Sequence, residues 1–190
     1  DFDGTITRSD SMLDFIRLVQ GNTRFYLGML AQSPNLVAYK AGLLSNHTAK
    51  ERFLQHYLGG LPRGKLHSFA QKLAEDILPA QTRPGALEQI QRHRQAGDRI
   101  LVISASQDIW LQPYMDTLGL EFLSTRATFE NGQFVGKLSS PNCYGPEKVT
   151  RLHQHLNLDN YDRIVAYGDS KGDREMLNLA QDSHFQPFRT

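Results

Sequence analysis

At 190 residues the chain is long enough to bury a sizeable core without staples, either as one large domain or as a core carrying an inserted subdomain. Its 21 Lys and Arg nearly balance 20 Asp and Glu, so composition points to neither a nucleic acid nor a membrane surface as partner. The single cysteine, Cys143, excludes an intrachain disulfide and a cysteine-only zinc cluster and fits a reducing, cytoplasmic setting.

The chain opens DFDGTIT, with two aspartates one residue apart ahead of Gly4 and Thr5. From Ser9 to about Ala80 the pattern is helical. Met12, Phe15, Ile16 and Val19 recur at helix spacing behind Asp10 or Ser11 as N-cap. Further helices are predicted over Thr23 to Gln32, Asn35 to Leu44, His47 to Leu58 with Gly59 and Gly60 as the stop, and Arg63 to Ile77. The most apolar window, Phe25 to Leu44, is broken by Gln32, Ser33, Pro34, Asn35 and Lys40, and so falls short of the roughly 20 apolar residues that span a bilayer. There is no secretory signal pattern either, in a chain that begins without Met.

After Pro79 the rhythm becomes α/β. Pro84 starts a helix that Gly97 ends, RILVIS (Arg99 to Ser104) reads as a buried strand, and Asp108 to Leu118 as a helix leading into the strand LEFLST. ATFENGQFVGKL is a hairpin around Asn131-Gly132, and a helix from Gly145 to Leu156 follows. The last unit is a strand over Arg163 to Tyr167, a Gly-Asp turn, and a helix starting near Gly172. Strands alternating with helices predict a Rossmann-like parallel sheet. We therefore expect an α/β core from residues 1–8 and 81–190, with an all-helical block, residues 9–80, inserted after the first strand motif, and a small β-hairpin.

In such a sheet, ligands bind at the carboxyl ends of the strands. Asp1 and Asp3 lie at the first such edge, Ser104 follows LVI, Asp169 follows IVAYG, and Lys148 stands near the start of the helix between the last two. A Ser or Gly-Asp after a strand is commonly a turn or cap, and a helix Lys is commonly solvated. Their joint placement argues for chemistry on a phosphate monoester. A carboxylate attacking a negatively charged phosphorus needs nearby positive charge, which Lys148 and a magnesium ion held by Asp1, the Asp3 carbonyl and Asp169 would supply. Ser104 can donate a hydrogen bond to a phosphoryl oxygen, and Asp3 can protonate the leaving alkoxide.

DFDGT, ISAS with Ser104, GPEKV with Lys148 and GDSKGD with Asp169 and Asp173 resemble the four ordered motifs of the haloacid dehalogenase superfamily of phosphohydrolases. The helical insertion after the first motif resembles the cap of the subfamily that includes phosphoserine phosphatase. The resemblance implies a magnesium-dependent phosphatase in which Asp1 is the nucleophile, forming an aspartyl phosphate, and Asp3 the general acid, then base. It implies Ser104 and Lys148 as phosphate ligands, Asp1, Asp3 (carbonyl) and Asp169 as metal ligands, and Asp173 as an outer or weak direct one. The substrate is expected to be a small phosphorylated metabolite. Asp10 stands where phosphoserine phosphatases carry a glutamate that reads the substrate amine, and doubles as a helix N-cap; Arg52 is the candidate for a substrate carboxylate. The segment Tyr26 to Leu44 departs from the cap of phosphoserine phosphatase, so phosphoserine is not implied.

Two other functions share these residue types. A phosphotransferase would pass the aspartyl phosphate to an alcohol. A phospho-accepting signalling domain also combines acids, a hydroxyl and a Lys on a parallel sheet, although the helical insertion and the second acidic cluster argue against it. Cys143 is expected to be a loop residue rather than a catalytic thiol. His153 and His155, two apart on a helix, point to different sides and should not share a zinc ion. Phe122, Phe129 and Phe134 are expected to pack a flap or core rather than stack bases. A nucleophile belongs at the end of a strand, and none precedes Asp1, so we expect apolar residues upstream in the native chain. Taken as it stands, Asp1 would be a frayed end beside an amino group near pKa 8.

Overall fold

A computed structural model describes residues 1–189. In chain order the helices are α1 (Ser11–Lys40), α2 (Asn46–Leu58), α3 (Arg63–Lys72), α4 (Leu78–Gln81), α5 (Pro84–Ala96), α6 (Asp108–Leu118), α7 (Pro146–His155) and α8 (Arg174–Leu179). The strands are β1 (Leu101–Gln107), β2 (Glu121–Thr125), β3 (Ala127–Glu130), β4 (Gln133–Leu138), β5 (Val165–Gly168) and β6 (Asp182–Phe185). Among the described residues the strands form three pairs: β1 with β2 and β5 with β6, both parallel, and the antiparallel β3–β4 hairpin.

The DFDGTIT segment adjoins both parallel pairs. The nitrogen of Asp1 donates to Tyr167 O of β5 at 2.9 Å, and the Lys148 ammonium bonds both Asp1 and Ile103 O of β1. Asp1 is therefore held in place by both contacts rather than frayed. A tight turn follows, in which Phe2 O accepts from Ile6 N and Thr7 N at 2.8 and 3.0 Å. The chain leaves this turn and returns to it at one place, because Arg8 N donates to Gln81 O and Arg83 N to Ile6 O, both at 2.8 Å.

Several caps act as expected. Asp10 caps α1, accepting from Met12 N and Leu13 N at 2.9 and 3.3 Å. Asn131 and Gly132 both take positive φ, 48° and 78°, as a two-residue hairpin turn that follows the strand twist requires. Other boundaries differ. The first three helices predicted between Asp10 and Leu44 form one element, bent at Gly21 (φ 75°, ψ 162°) and continuous through Pro34. The predicted helix Arg63 to Ile77 passes from α3 into a π-helical turn, Leu73–Ile77. β6 was not predicted.

Two buried clusters divide the apolar side chains. The larger joins Phe15, Ile16, Leu54, Leu66 and Leu73 of the helical block to Phe2 and to Trp110 and Leu111 of α6. Phe15 stacks on Trp110 with ring centroids 5.2 Å apart, and each side chain, at 0 % exposure, contributes about 1.5–3 kcal/mol by burial. The smaller holds Ile103 of β1 against Leu152, Ala166, Met176 and Leu177. Cys143 belongs to this second cluster, its thiol pushed up by burial, so it packs and does not react. Phe134 is buried and Arg63 lies 3.9 Å over the Phe129 ring, so these aromatics pack the hairpin. His155 turns to Glu121.

Candidate active site

Lys148 is the centre of the arrangement. It lies in the first turn of α7, where the helix dipole disfavours a cation, and it is 2 % exposed. A buried ammonium at that end of a helix requires partners, and it has three: Asp1 Oδ1 at 2.7 Å, Asp173 Oδ1 at 2.5 Å and Ile103 O at 3.0 Å. The other Asp1 oxygen accepts from Thr5 Oγ1 at 3.0 Å. Asp173 Oδ2 accepts from Asp169 N, Ser170 N and Ser170 Oγ at 3.1, 2.9 and 2.8 Å. Burial pushes the Asp173 carboxyl up, but the Lys148 charge and bond outweigh it and hold the carboxyl below the usual carboxylate range.

Asp169 completes the acidic edge. Burial first, and then the charge of Asp173, push its carboxyl up, while Arg189 bonds its Oδ2 at 2.9 Å. It approaches the opening turn so closely that a Cβ on Gly4, whose φ is +80°, would lie 2.3 Å from Asp169 Oδ2; only glycine fits there. Carboxylate oxygens of Asp1, Asp169 and Asp173 lie within 4.8 Å of one another. Hard oxygen donors at that spacing suit a magnesium ion.

Asp3 has different surroundings. Its Oδ1 accepts from Ser11 N at 2.6 Å; its Oδ2 accepts from Ser106 Oγ at 2.6 Å and, more weakly, from Ser104 Oγ at 3.5 Å. Ser106 Oγ lies 3.0 Å from Ser11 Oγ, which accepts from Trp110 Nε1 at 3.2 Å. Ser104 and Ser106 lie two residues apart on β1, Ser104 at the last regular pairing with β2 and Ser106 within the register shift that follows it. The structure thus gathers Asp1, Asp3, Ser104, Lys148, Asp169 and Asp173, and adds Thr5, Ser106, Ser11 and Trp110.

The helical block presents two charged groups. Asp10, at the mouth of the site, is pushed up to about 6, first by burial and then by the charge of Asp3. Lys50 of α2 donates to Ala105 O, between the two serines, and to Asn142 Oδ1 at 3.1 Å; burial pushes it down to about 8. Arg52 is turned away: it is exposed and bonds Asn35 Oδ1 of α1 at 3.0 Å, so the cation brought toward the site is Lys50. The signal for this was present in the sequence. Lys50 precedes Phe53, Leu54 and Tyr57 by three, four and seven residues, on the apolar stripe of α2, and Arg52 is off it.

A sequence profile of the haloacid dehalogenase-like hydrolases matches residues 1–178. Protein CicA of Caulobacter vibrioides is 32% identical over 191 residues, covering 100% of this chain and 85% of CicA. Histidinol-phosphatase of Neisseria meningitidis serogroup C is 29% identical over 143 residues, which cover 70% of this chain and 64% of that enzyme. Among solved structures, a Bordetella pertussis protein of unknown function superposes with a TM-score of 0.84 at 19% identity, over 96% of this chain and 86% of that one. A substrate-bound phosphoserine phosphatase superposes with a TM-score of 0.65 at 21% identity, over 97% and 82%.

Proposed function

We propose, from the premise that this chain belongs to the haloacid dehalogenase-like hydrolase family, that it hydrolyses phosphomonoesters of small metabolites through an aspartyl phosphate on Asp1. The observation that carries the reading is the pair of carboxylates one residue apart with different partners, a buried ammonium and the Thr5 hydroxyl on Asp1 and only neutral hydroxyl and amide donors on Asp3.

In this reading Asp1 attacks phosphorus in line, and the P–O bond to the leaving alkoxide breaks as the new one forms. Lys148 holds Asp1 in place and offsets the repulsion between carboxylate and phosphate. Ser104 donates to a phosphoryl oxygen. Asp3 gives its proton to the alkoxide, then takes one from the water that cleaves the aspartyl phosphate, which restores Asp1 and releases inorganic phosphate. Magnesium would be held by Asp1, the Asp3 carbonyl and Asp169, with Asp173 behind them. When bound, it neutralises charge on the transferring group.

Residues 9–80 form the cap on a catalytic core of 1–8 and 81–190, joined at the two adjacent strands of chain around Ile6–Arg8 and Gln81–Arg83. Asp10 and Lys50 read the part of the substrate distal to phosphate. The name of the Neisseria relative makes histidinol phosphate one compound to include in a screen.

The deciding experiment measures phosphate release from an aryl phosphate by the wild-type chain with magnesium, with chelator, and by Asp1→Asn. Activity that requires the ion and is absent in the variant is the expected result; unchanged turnover in Asp1→Asn sinks the mechanism. Adding acceptor alcohols separates hydrolysis from phosphotransfer, since a transferase forms a new ester at the expense of free phosphate. A phospho-Asp that persists instead of turning over would mark a receiver-like signalling domain.

A further inference from the structure

The distal half of α1, after the bend at Gly21, runs from Asn22 to Lys40 and is about 28 Å long. Its inner face is spoken for: Phe25, Gly28 and Gln32 are buried, Tyr57 Oη donates to Phe25 O at 2.7 Å, and a Cβ on Gly28 would lie 2.5 Å from the Tyr57 ring. The outer face is apolar as well. Leu27, Leu30 and Val37 are 61, 71 and 65 % exposed, with Tyr26 beside them and Leu43 beyond the helix end. Thr23, Leu27, Leu30, Pro34, Val37 and Ala41 succeed each other at spacings of four and three, which makes one continuous stripe. No helix among the described residues is long and apolar enough to cross a membrane, so the stripe is not part of a span.

Charge chooses the occupant. Between Asp14 and Glu51 the chain has no acidic residue, while Arg24, Lys40 and the outward-turned Arg52 fringe the stripe. A second copy packed antiparallel on the stripe, centred near Gln32, would set Arg24 of each copy beside Lys40 of the other with no acid in the segment to separate them. An apolar stripe with a flanking tyrosine and a cationic fringe instead complements an anionic bilayer, into which such a helix lays its apolar side while its Arg and Lys meet phosphate headgroups.

We propose that this face of α1 docks the protein peripherally on an anionic lipid surface. This departs from the near-neutral whole-chain charge, because the asymmetry is confined to one segment. It is independent of the reaction at Asp1.

The test mixes the full chain with sedimenting vesicles of phosphatidylcholine, with and without phosphatidylglycerol. Pelleting is expected only with the anionic vesicles and should weaken as salt is raised. Leu30→Glu with Val37→Glu should reduce it by about tenfold or more, and Arg24→Glu with Lys40→Glu should do so without touching the stripe. Both double variants should hydrolyse a soluble aryl phosphate at the wild-type rate, which shows that they fold. The proposal is overturned if neither vesicle pellets the protein, if both double variants still bind, or if sedimentation velocity shows a dimer that Leu30→Glu with Val37→Glu dissolves. The last result gives the face to a second copy.

Discussion

Asp1 and Asp3 are separated by one phenylalanine, yet the first is bonded to a buried ammonium as well as the Thr5 hydroxyl, and the second only to two hydroxyls and a peptide N–H. An ammonium can only donate, so it favours a partner that keeps its negative charge throughout. A hydroxyl can turn and accept, so Ser106 can remain bonded to Asp3 whether or not Asp3 carries a proton. In the proposed mechanism the same short turn supplies both a fixed nucleophile and a proton carrier: the aspartates are chemically alike, and the strands and helices around them set them apart.

The contrast can be broken experimentally. Asp1→Asn removes the attacking oxygen and should lower kcat on every phosphomonoester by about 10⁴-fold or more. Asp3→Asn should cost about 10²–10⁴-fold on alkyl phosphates and distinctly less on an aryl phosphate, whose leaving group needs little protonation. Equal losses on both substrates would remove the distinction between the two residues. Lys148→Met strands Asp1 and Asp173 without their cation and should destabilise the fold by about 3–5 kcal/mol, read as a lowered denaturation midpoint at unchanged m-value.

Smaller effects concern the cap. Lys50→Met should raise KM by about 10–100-fold on a substrate with a second anionic group, with kcat nearly unchanged, as expected for the loss of one charge-assisted hydrogen bond. Lys50 also has a signature in stability. Its folded value of about 8 lies below the ordinary 10.5, so between these values the unfolded chain holds more protons. This lysine therefore makes folding more favourable as pH rises from 8 toward 10.5, and the slope should disappear in Lys50→Met.

Local signals carried most of the secondary structure because their causes are local. Asp10 caps α1 through its own side chain, Gly97 ends α5 in the left-handed conformation at φ 79°, and Asn131-Gly132 turns the hairpin. The parallel pairing of β6 with β5 depends on distant packing, and DSHF (Asp182–Phe185) shows no buried alternation, being exposed over most of its length. At the site, the six residues carried by motifs were legible by type and order. Ser11 and Trp110 were not: Ser11 N bonds Asp3 directly, but the Ser11 hydroxyl and Trp110 join Asp3 only through Ser106, across a fold that brings residues 11 and 106 together. Arg52 has the charge for a substrate carboxylate, but helix periodicity places Lys50, and not Arg52, on the apolar stripe of α2.

The bond from Ser11 N to Asp3 Oδ1 joins the first peptide of the long cap helix directly to the proton-carrying carboxylate. Swinging α1 as a rigid rod would therefore strip Asp3 of a donor or restore it. The non-helical Gly21, ten residues beyond Ser11, is a joint at which the outer arm can bend without disturbing that bond. Under the proposed mechanism, any movement of the inner arm changes the donor set of Asp3, which would tie the position of that arm to proton transfer.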